Sequence, residues 1–258
     1  MISRRFAARA AEGRSTLVPY VTAGYPDRGS TVPLLNALVD AGADVLEVGI
    51  PFSDPLADGP TIQRSSFVSL GNGTTVRRVL DDVATFRAGD DTPVVLFTYL
   101  NPVLRYGIEA FVEDAVSAGA HGLLMTDLPA GSDPDLERAV VDSPLDLIRL
   151  VAPTTRPDRL QESVAGGSGF VYYISRTGVT GASTDLSSSL ADEVRRLKEA
   201  LTLPVAVGFG ISTPQQAAAV AEVADGVVVG SALIQALDDS GIAGAAGFLR
   251  SLRQGMDG

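Results

Sequence analysis

Two carboxylates stand close together in a part of the chain where carboxylates are unusual. Glu47 is the single charged residue in the apolar run Val45 to Ile50, and Asp58 follows in a loop flanked by prolines. Burying an unpaired glutamate either costs several kcal/mol or forces the carboxyl group to take up a proton. A strand glutamate followed by a loop aspartate is therefore a candidate pair for acid–base chemistry. The alternative is that an arginine pairs with Glu47 and that the loop aspartates cap turns.

Short apolar runs alternate with longer segments of helical period, which predicts repeated βα units and a parallel sheet. The eight predicted strands are Leu17–Thr22, Val45–Gly49, Val94–Tyr99, Gly122–Thr126, Leu147–Val151, Phe170–Ser175, Val205–Gly208 and Gly226–Val229. The predicted helices include a short amphipathic N-terminal one through Ala11, and Thr31–Ala41, Val76–Ala88, Ile108–Ala118, Arg156–Ala165, Leu186–Glu199 and Pro214–Val223. Ser212-Thr213 precede Pro214 and are the predicted N-cap of the last of these helices.

Eight strands in 258 residues favour an α/β fold with one (β/α)8 TIM barrel domain spanning residues 1–258. An open doubly wound sheet is disfavoured because no G-x-G-x-x-G follows the first strand. Catalytic residues of such barrels lie at the carboxyl ends of the strands. Glu47, Asp58, Tyr99, Asp127 and Tyr172 all fall at or near that mouth.

Glycine-rich loops follow the last three predicted strands, at Gly178 to Gly181, Gly208 to Ser212 and Gly230 to Ala232. Each alone is an ordinary turn, but together they indicate a phosphate site, which this fold commonly builds from the loops after strands seven and eight. Ser231 to Ile234 is predicted to be the short extra helix whose N-terminal N–H groups hold the anion.

The composition limits the classes of partner. The formal net charge is −11, from 20 basic and 31 acidic residues, which disfavours nucleic acid and anionic membranes. Cysteine is absent, so the chain has no disulfide, thiolate nucleophile or thiolate metal site. The first residues lack a long apolar core and no apolar run is long enough to span a bilayer, so we expect a cytoplasmic protein without a signal peptide.

Several segments resemble the tryptophan synthase alpha subunit family over nearly the whole chain. They are Leu17 to Pro26, Glu47 with Pro51 to Pro60, Ser175 to Gly181, Val207 to Ile211 and Gly230 to Ala232. The resemblance implies reversible retro-aldol cleavage of indole-3-glycerol phosphate to indole and glyceraldehyde 3-phosphate, without cofactor or metal. It implies that Glu47 is the general acid–base and Asp58 the second catalytic carboxylate.

The resemblance also implies roles for other residues. The phosphate would be held by Gly181, Gly210, Gly230 and Ser231, and the indole slot would be lined by Tyr20, Phe97, Tyr99, Leu124, Val151 and Tyr172. Thr180 would position Asp58 when the loop Arg176–Ala182 closes, with Arg176 contributing to closure.

A beta subunit is the implied macromolecular partner, in an α2β2 assembly. The loops Pro51–Pro60 and Asn101–Tyr106 would contact it, with Asp54 and Asp127 as coupling residues. Arg149 shares strand parity with Val151, so it would point into the barrel if Val151 lines the slot, and its partner cannot be named from sequence.

Three other functions remain open at this point. A stand-alone indole-3-glycerol phosphate lyase would differ mainly in being fast without a partner. A phosphosugar isomerase or epimerase barrel would share the glycine loops but has no need for the Glu47–Asp58 arrangement. A barrel retained only as a binding or activating partner would be expected to have lost a carboxylate or a phosphate loop, and all are present.

Overall fold

The computed structural model describes residues 1–174, 188–208 and 210–258. Within them, nine strands form one sheet: β1 (Thr16–Thr22), β2 (Leu46–Gly49), β3 (Val94–Thr98), β4 (Gly122–Met125), β5 (Asp146–Leu147), β6 (Arg149–Val151), β7 (Val171–Ile174), β8 (Val205–Gly208) and β9 (Gly226–Val229). The first six helices in chain order are α1 (Ile2–Ala11), α2 (Thr31–Asp40), α3 (Pro60–Gly71), α4 (Val76–Arg87), α5 (Leu100–Tyr106) and α6 (Ile108–Ser117). Those that follow are α7 (Pro134–Val141), α8 (Leu160–Ser163) after a 3-10 turn (Pro157–Arg159), α9 (Ser188–Ala200), α10 (Pro214–Ala221) and α11 (Ser231–Asp257).

The sheet is parallel throughout and closes on itself. Its order is β5-β4-β3-β2-β1-β9-β8-β7-β6, and every described pairing is parallel. Only Ile148 separates β5 from β6, so these two form the fifth of eight barrel strands and join the ends of the order. The predicted (β/α)8 barrel is confirmed.

Alternation along the strands sorts the core into two layers. Residues of one parity fill the barrel interior, and those of the other parity pack against the surrounding helices, as the period of two in a strand requires. The interior layer contains Val18, Val45, Val95, Leu124, Ile148, Phe170, Ala206 and Val228. The outer layer includes Leu17, Leu46, Leu96, Leu123, Leu147, Val171, Val205 and Val227.

Helix α1 closes the amino-terminal mouth of the barrel. The Phe6 ring stacks on Phe170 with centroids 5.2 Å apart, and Ile2 is fully buried. A Cβ atom at Gly122 would lie 2.8 Å from Ile2 Cδ1, and one at Gly226 would lie 2.9 Å from Phe6 Cε1. These two glycines make room for the helix, which fills the amino-terminal mouth of the barrel.

Two helices were not expected where they occur. Residues Asn101–Tyr106 were predicted to be a loop, but they belong to α5, because Pro102 falls in the first turn, where a proline costs no hydrogen bond. Helix α3 begins at Pro60 by the same rule, with Gly59 as its N-cap.

The predicted short helix at Ser231 is present as the first part of α11. The helix breaks at Ser240 and Gly241, where Gly241 has φ +65°. Residues 231–239 are called the first segment of α11 below. The predicted N-cap of α10 is confirmed, since the Thr213 hydroxyl accepts a hydrogen bond from the Gln216 N–H.

Candidate active site

Glu47 lies on the interior face of β2 and is almost sealed from solvent. Its relative exposure is 1%, and neither carboxyl oxygen has a hydrogen-bond partner among the described residues. Desolvation, reinforced by the negative charge of Asp58, raises the pKa of Glu47 to about 8. The Glu47 carboxyl group is therefore protonated at neutral pH and is ready to act as an acid.

Asp58 lies in the loop between β2 and α3 and faces the same space. Burial raises the pKa of Asp58 to about 6, while a hydrogen bond with Tyr99 acts in the opposite direction. Near neutral pH this carboxyl group is mostly ionised. The two environments thus separate the pair into one acid and one carboxylate, the pattern that identifies acid–base assignments in known enzymes.

Tyr99, just after β3, holds the Asp58 loop against the barrel. The Ala57 N–H donates a hydrogen bond of 3.0 Å to the Tyr99 hydroxyl, and the Phe52 ring lies 5.3 Å from the Tyr99 ring. From the other side, Gln63 Nε2 donates to the Asp58 carbonyl oxygen at 2.9 Å. Asp58 is placed by contacts at both ends of its loop.

Glu47 and Asp58 line a cavity of about 500 Å³ at the open mouth. Of the predicted indole-slot residues, Tyr20, Phe97 and Tyr172 line it. Leu124 is fully buried in the interior layer, which packs against Phe97 and Tyr172. Among the aliphatic side chains that line the cavity are Ile62, Leu150, Ile174 and Ile211. The space suits a flat aromatic group.

Two glycines make room for the tyrosine rings of this cavity. A Cβ atom at Gly49 would lie 2.2 Å from the Tyr20 hydroxyl oxygen, and one at Gly208 would lie 2.3 Å from that of Tyr172. Any larger residue at either position would displace a ring. The two glycines thus set the shape of the slot.

The prediction that Val151 lines the indole slot is wrong. It packs in the outer layer, and its neighbour Leu150 lines the cavity instead. The parity of the fifth strand is fixed by Ile148, which is in the interior layer. The sequence of this strand is apolar on both faces and does not show which face is inside.

Arg149 consequently points outward. It forms an ion pair with Glu137 of α7, and its Nε donates to the Ala165 carbonyl at 3.1 Å. Its Nη1 donates to the Leu128 carbonyl at 3.3 Å. Arg149 is 3% exposed and fully engaged in joining α7 and the segment after α8 to the barrel. It has no part in the cavity.

The far end of the cavity offers backbone donors. Gly210, with φ +73°, Gly230 and Ser231 all line it. Gly230 is the N-cap of α11, and no side chain of the described residues caps that end. The first turn of a helix has free N–H groups and a favourable dipole, and these bind anions. The predicted Gly181, Thr180 and Arg176 lie outside the described residues.

Ser212 also lines this end and was not singled out from the sequence. Its N–H donates to Gln216 Oε1 at 2.8 Å, so Gln216 fixes the end of the loop that leads into α10. The predicted phosphate loop Gly208 to Ser212 ends at this residue, but the capping motif Ser212-Thr213 indicated a helix start for its side chain and not a ligand.

The two predicted interface aspartates lie on the surface. Asp54 is exposed and accepts a hydrogen bond of 2.6 Å from the Ser53 hydroxyl. Asp127 accepts a hydrogen bond of 2.6 Å from the Leu100 N–H, so it caps α5 across the gap between two strands. Nearby, the side chains of Leu56 and Phe67 are 92% and 78% exposed.

The described part of the chain contains neither a metal-binding cluster nor a membrane-spanning helix. No three His, Asp or Glu side chains there come together in a way that would hold a metal ion. None of its helices combines the length and the apolar character that crossing a bilayer requires.

Comparison with known proteins identifies relatives of this barrel along its whole length. The sequence model of the family described as "Tryptophan synthase alpha chain" matches residues 6–251. The alpha chain of Gluconacetobacter diazotrophicus is 52% identical over 240 residues, covering 93% of this chain and 88% of the relative. That of Burkholderia mallei is 48% identical over 262 residues, covering 100% and 97%.

Solved structures of tryptophan synthase alpha chains superpose closely on this chain. The tryptophan synthase alpha subunit of Legionella pneumophila superposes with a TM-score of 0.92 at 39% identity, covering 99% of this chain and 98% of that one. A chain of Mycobacterium tuberculosis tryptophan synthase, in its aminoacrylate-bound form, gives 0.89 at 38% identity, with coverage of 99% and 98%.

Proposed function

Because the chain belongs to the tryptophan synthase alpha chain family, we propose that its open barrel mouth cleaves indole-3-glycerol phosphate to indole and glyceraldehyde 3-phosphate. The observation that carries this assignment is that the unpartnered, buried carboxyl group of Glu47 and the carboxyl group of Asp58 line one cavity with the uncapped helix N-terminus at Gly230 and Ser231. Burial raises the pKa of Glu47 to about 8 and that of Asp58 to about 6, which makes the first the acid and the second the carboxylate. An acid, a base and an anion site are the three elements that this reaction requires.

Glu47 supplies the proton that starts the cleavage. Protonation of indole C3 converts the ring into an electrophile that accepts the electron pair of the bond to the glycerol carbon. The Glu47 carboxylate left behind then takes the proton of the adjacent hydroxyl group, and an aldehyde forms as the carbon–carbon bond breaks. The raised pKa of Glu47 makes this first transfer possible at neutral pH.

Asp58 stabilises the positive charge that protonation creates. As a carboxylate it accepts the indole N–H hydrogen bond, which strengthens as the ring becomes cationic. Partial burial makes this interaction stronger than it would be in water. Tyr99 keeps the carboxylate in position through the Ala57 backbone.

The glycerol phosphate end is anchored by backbone groups. Gly210 lines the cavity together with Gly230 and Ser231, which form the N-terminus of α11, and Gly181 joins them in this proposal. Thr180 and Arg176 act in closure of their loop. A chain of net charge −11 can hold a phosphate here because the donors are local N–H groups.

The product indole passes to a beta subunit in an α2β2 assembly in the cytoplasm, with no cofactor in the alpha reaction. The surface around the loop Pro51–Pro60, with the exposed Leu56, Phe67 and Asp54, and α5 with its cap Asp127, provides the contact. Exposed apolar side chains beside a catalytic loop support a partner surface at this mouth.

Replacing Tyr99 with Phe tests how the loop is held. The variant keeps the ring contact with Phe52 but loses the hydroxyl acceptor of Ala57, so we expect kcat to fall by about 10- to 100-fold. The acid limb of the pH–rate profile should move to higher pH, because the lost hydrogen bond had lowered the pKa of Asp58. Steady-state indole release between pH 5 and 9 measures both effects.

Tyr173→Phe is the matched control, since the Tyr173 hydroxyl donates to Glu193 on the outside of the barrel. Equal rates for the two tyrosine variants would remove Tyr99 from the mechanism.

The pH dependence of kcat/KM follows from the two carboxyl groups. Activity requires Asp58 ionised and Glu47 protonated, so we expect a bell with an acid limb near pH 6 and an alkaline limb near pH 8. Rates fall below the first because Asp58 takes up a proton, and above the second because Glu47 loses one. A profile that is flat from pH 5 to 9 would contradict the assignment.

The function itself is tested by incubating the purified chain with indole-3-glycerol phosphate, with and without excess beta subunit. We expect equimolar indole and glyceraldehyde 3-phosphate, with slow release alone and strong activation by the partner. Fast release alone would indicate an independent lyase. No release in either condition would disprove the proposed reaction and favour another phosphate-binding barrel.

A further inference from the structure

A polar cluster on the outer surface of the barrel mouth joins three separate elements. The Tyr25 hydroxyl, in the loop after β1, donates to Asp238 in the first segment of α11. Arg64, on α3, forms an ion pair with the same carboxylate. Its Nη1 also approaches the Tyr25 hydroxyl at 3.5 Å. Tyr25 is 4% exposed, so one member of the cluster is anchored in the core.

One arm of this cluster leads to Asp58. Arg64 lies in the first turns of α3, one residue after Gln63, whose side chain donates to the Asp58 carbonyl oxygen. Gln63 Nε2 also lies 3.5 Å from the Pro55 carbonyl oxygen. The start of α3 is therefore hydrogen-bonded, through Gln63, to the loop that carries Asp58, and a displacement of α3 would move that loop.

The other arm leads to the anion site. Asp238 lies about two helical turns beyond Ser231, whose end of the first segment faces the cavity. The break at Ser240 and Gly241 separates this segment from the rest of α11. The N-terminus that would hold the anion and Asp238 therefore belong to the same unbroken helix segment.

We propose that Arg64 and Asp238 are positioning residues that couple occupation of the phosphate site to the placement of the Asp58 loop. Phosphate binding fixes the first segment of α11, the ion pair fixes α3 against that segment, and α3 fixes the loop. A seated phosphate would thus further stabilise the loop that carries the second carboxylate, in the position that Tyr99 and Gln63 already give it. This inference rests on the proposed phosphate site and adds a route between that site and Asp58.

Coupling between the phosphate site and the Asp58 loop is reciprocal, so its size can be measured at either of them. If the bound anion stabilises the ordered loop by some factor, the ordered loop raises affinity for the anion by the same factor. An ion pair with half of the Arg64 side chain exposed to solvent supports a modest factor, about twofold to fivefold. A purely structural surface pair would change neither quantity.

The probe is glycerol 3-phosphate, and the reporter is hydrogen exchange of the Ala57 amide, which donates to Tyr99 when the loop is in place. In the unmodified chain we expect the ligand to slow this exchange about twofold to fivefold. In Arg64→Gln and in Asp238→Asn the slowing should be lost, and affinity for the ligand should fall by the same factor, about twofold to fivefold. The charge-swapped double variant Arg64→Asp with Asp238→Arg should recover part of the effect.

Lys198→Met is the matched control, because Lys198 and Asp225 form an ion pair between elements remote from this mouth, at 2.7 Å. It should leave the ligand effect intact. Full slowing in the Arg64 and Asp238 variants would overturn the coupling. If the unmodified chain binds the ligand without slowing, the coupling alone is wrong. If it binds no glycerol 3-phosphate, the phosphate site and the coupling are both wrong.

Discussion

Replacing Glu47 with Gln is expected to lower kcat for indole release by about 10²- to 10⁴-fold, the usual contribution of a positioned proton donor. Gln keeps the size and the hydrogen-bonding shape of a protonated carboxyl group but has no proton to give to indole C3. The buried site already holds Glu47 in its neutral form, so the fold should tolerate the change. Single-turnover release of indole with saturating beta subunit measures the effect.

The control for this variant is Glu109→Gln, an exposed glutamate in the first turn of α6. It should retain full activity. The affinity of Glu47→Gln for glycerol 3-phosphate should equal that of the unmodified chain, since Glu47 does not lie at the anion end. Turnover within tenfold of normal would show that another group donates the proton.

Asp58→Asn should reduce turnover by about 10²- to 10³-fold, because it removes the negative charge that stabilises the protonated indole. Binding of glycerol 3-phosphate should be nearly unchanged, since the N–H groups around Gly230 and Ser231 remain. Steady-state rates and calorimetric binding of the phosphate separate the two effects. Near-normal rates would mean that the assignment of Asp58 is wrong.

The same variant has a consequence for Glu47. The charge of Asp58 is one of the two causes that raise the pKa of Glu47, after desolvation. Removing that charge should lower the pKa, so the alkaline limb of the residual activity moves to lower pH. An alkaline limb that stays in place would show that the two groups do not interact.

The barrel was predictable from sequence because its signals are local. Apolar runs, helical periods and the capping pair Ser212-Thr213 each mark one element without reference to the rest of the chain. Eight such units then leave few topologies. The loop predicted at Asn101–Tyr106 is instead part of a helix, whose first N–H group is capped by Asp127 from the loop after β4, a contact between residues that are distant in sequence.

Orientation within a strand was harder to predict. Glu47 could be placed in the interior because a lone carboxylate in an apolar run has a functional reason to be there. Val151 and Leu150 carry no such difference, so the sequence does not show which of them faces the cavity. The ion pair between Arg64 and Asp238 joins residues that are far apart in sequence. They meet because α3 packs beside α11, which the sequence alone does not show.

The central claim is that burial keeps Glu47 protonated beside an ionised Asp58. Its most direct test is the titration of the Glu47 carboxyl group by carbon-13 NMR of chain labelled at glutamate, with Glu47→Gln to identify the signal. We predict a midpoint near pH 8, which falls in Asp58→Asn. A midpoint near the ordinary glutamate pKa of about 4.3 would contradict the account, because Glu47 would then have no proton to donate at neutral pH.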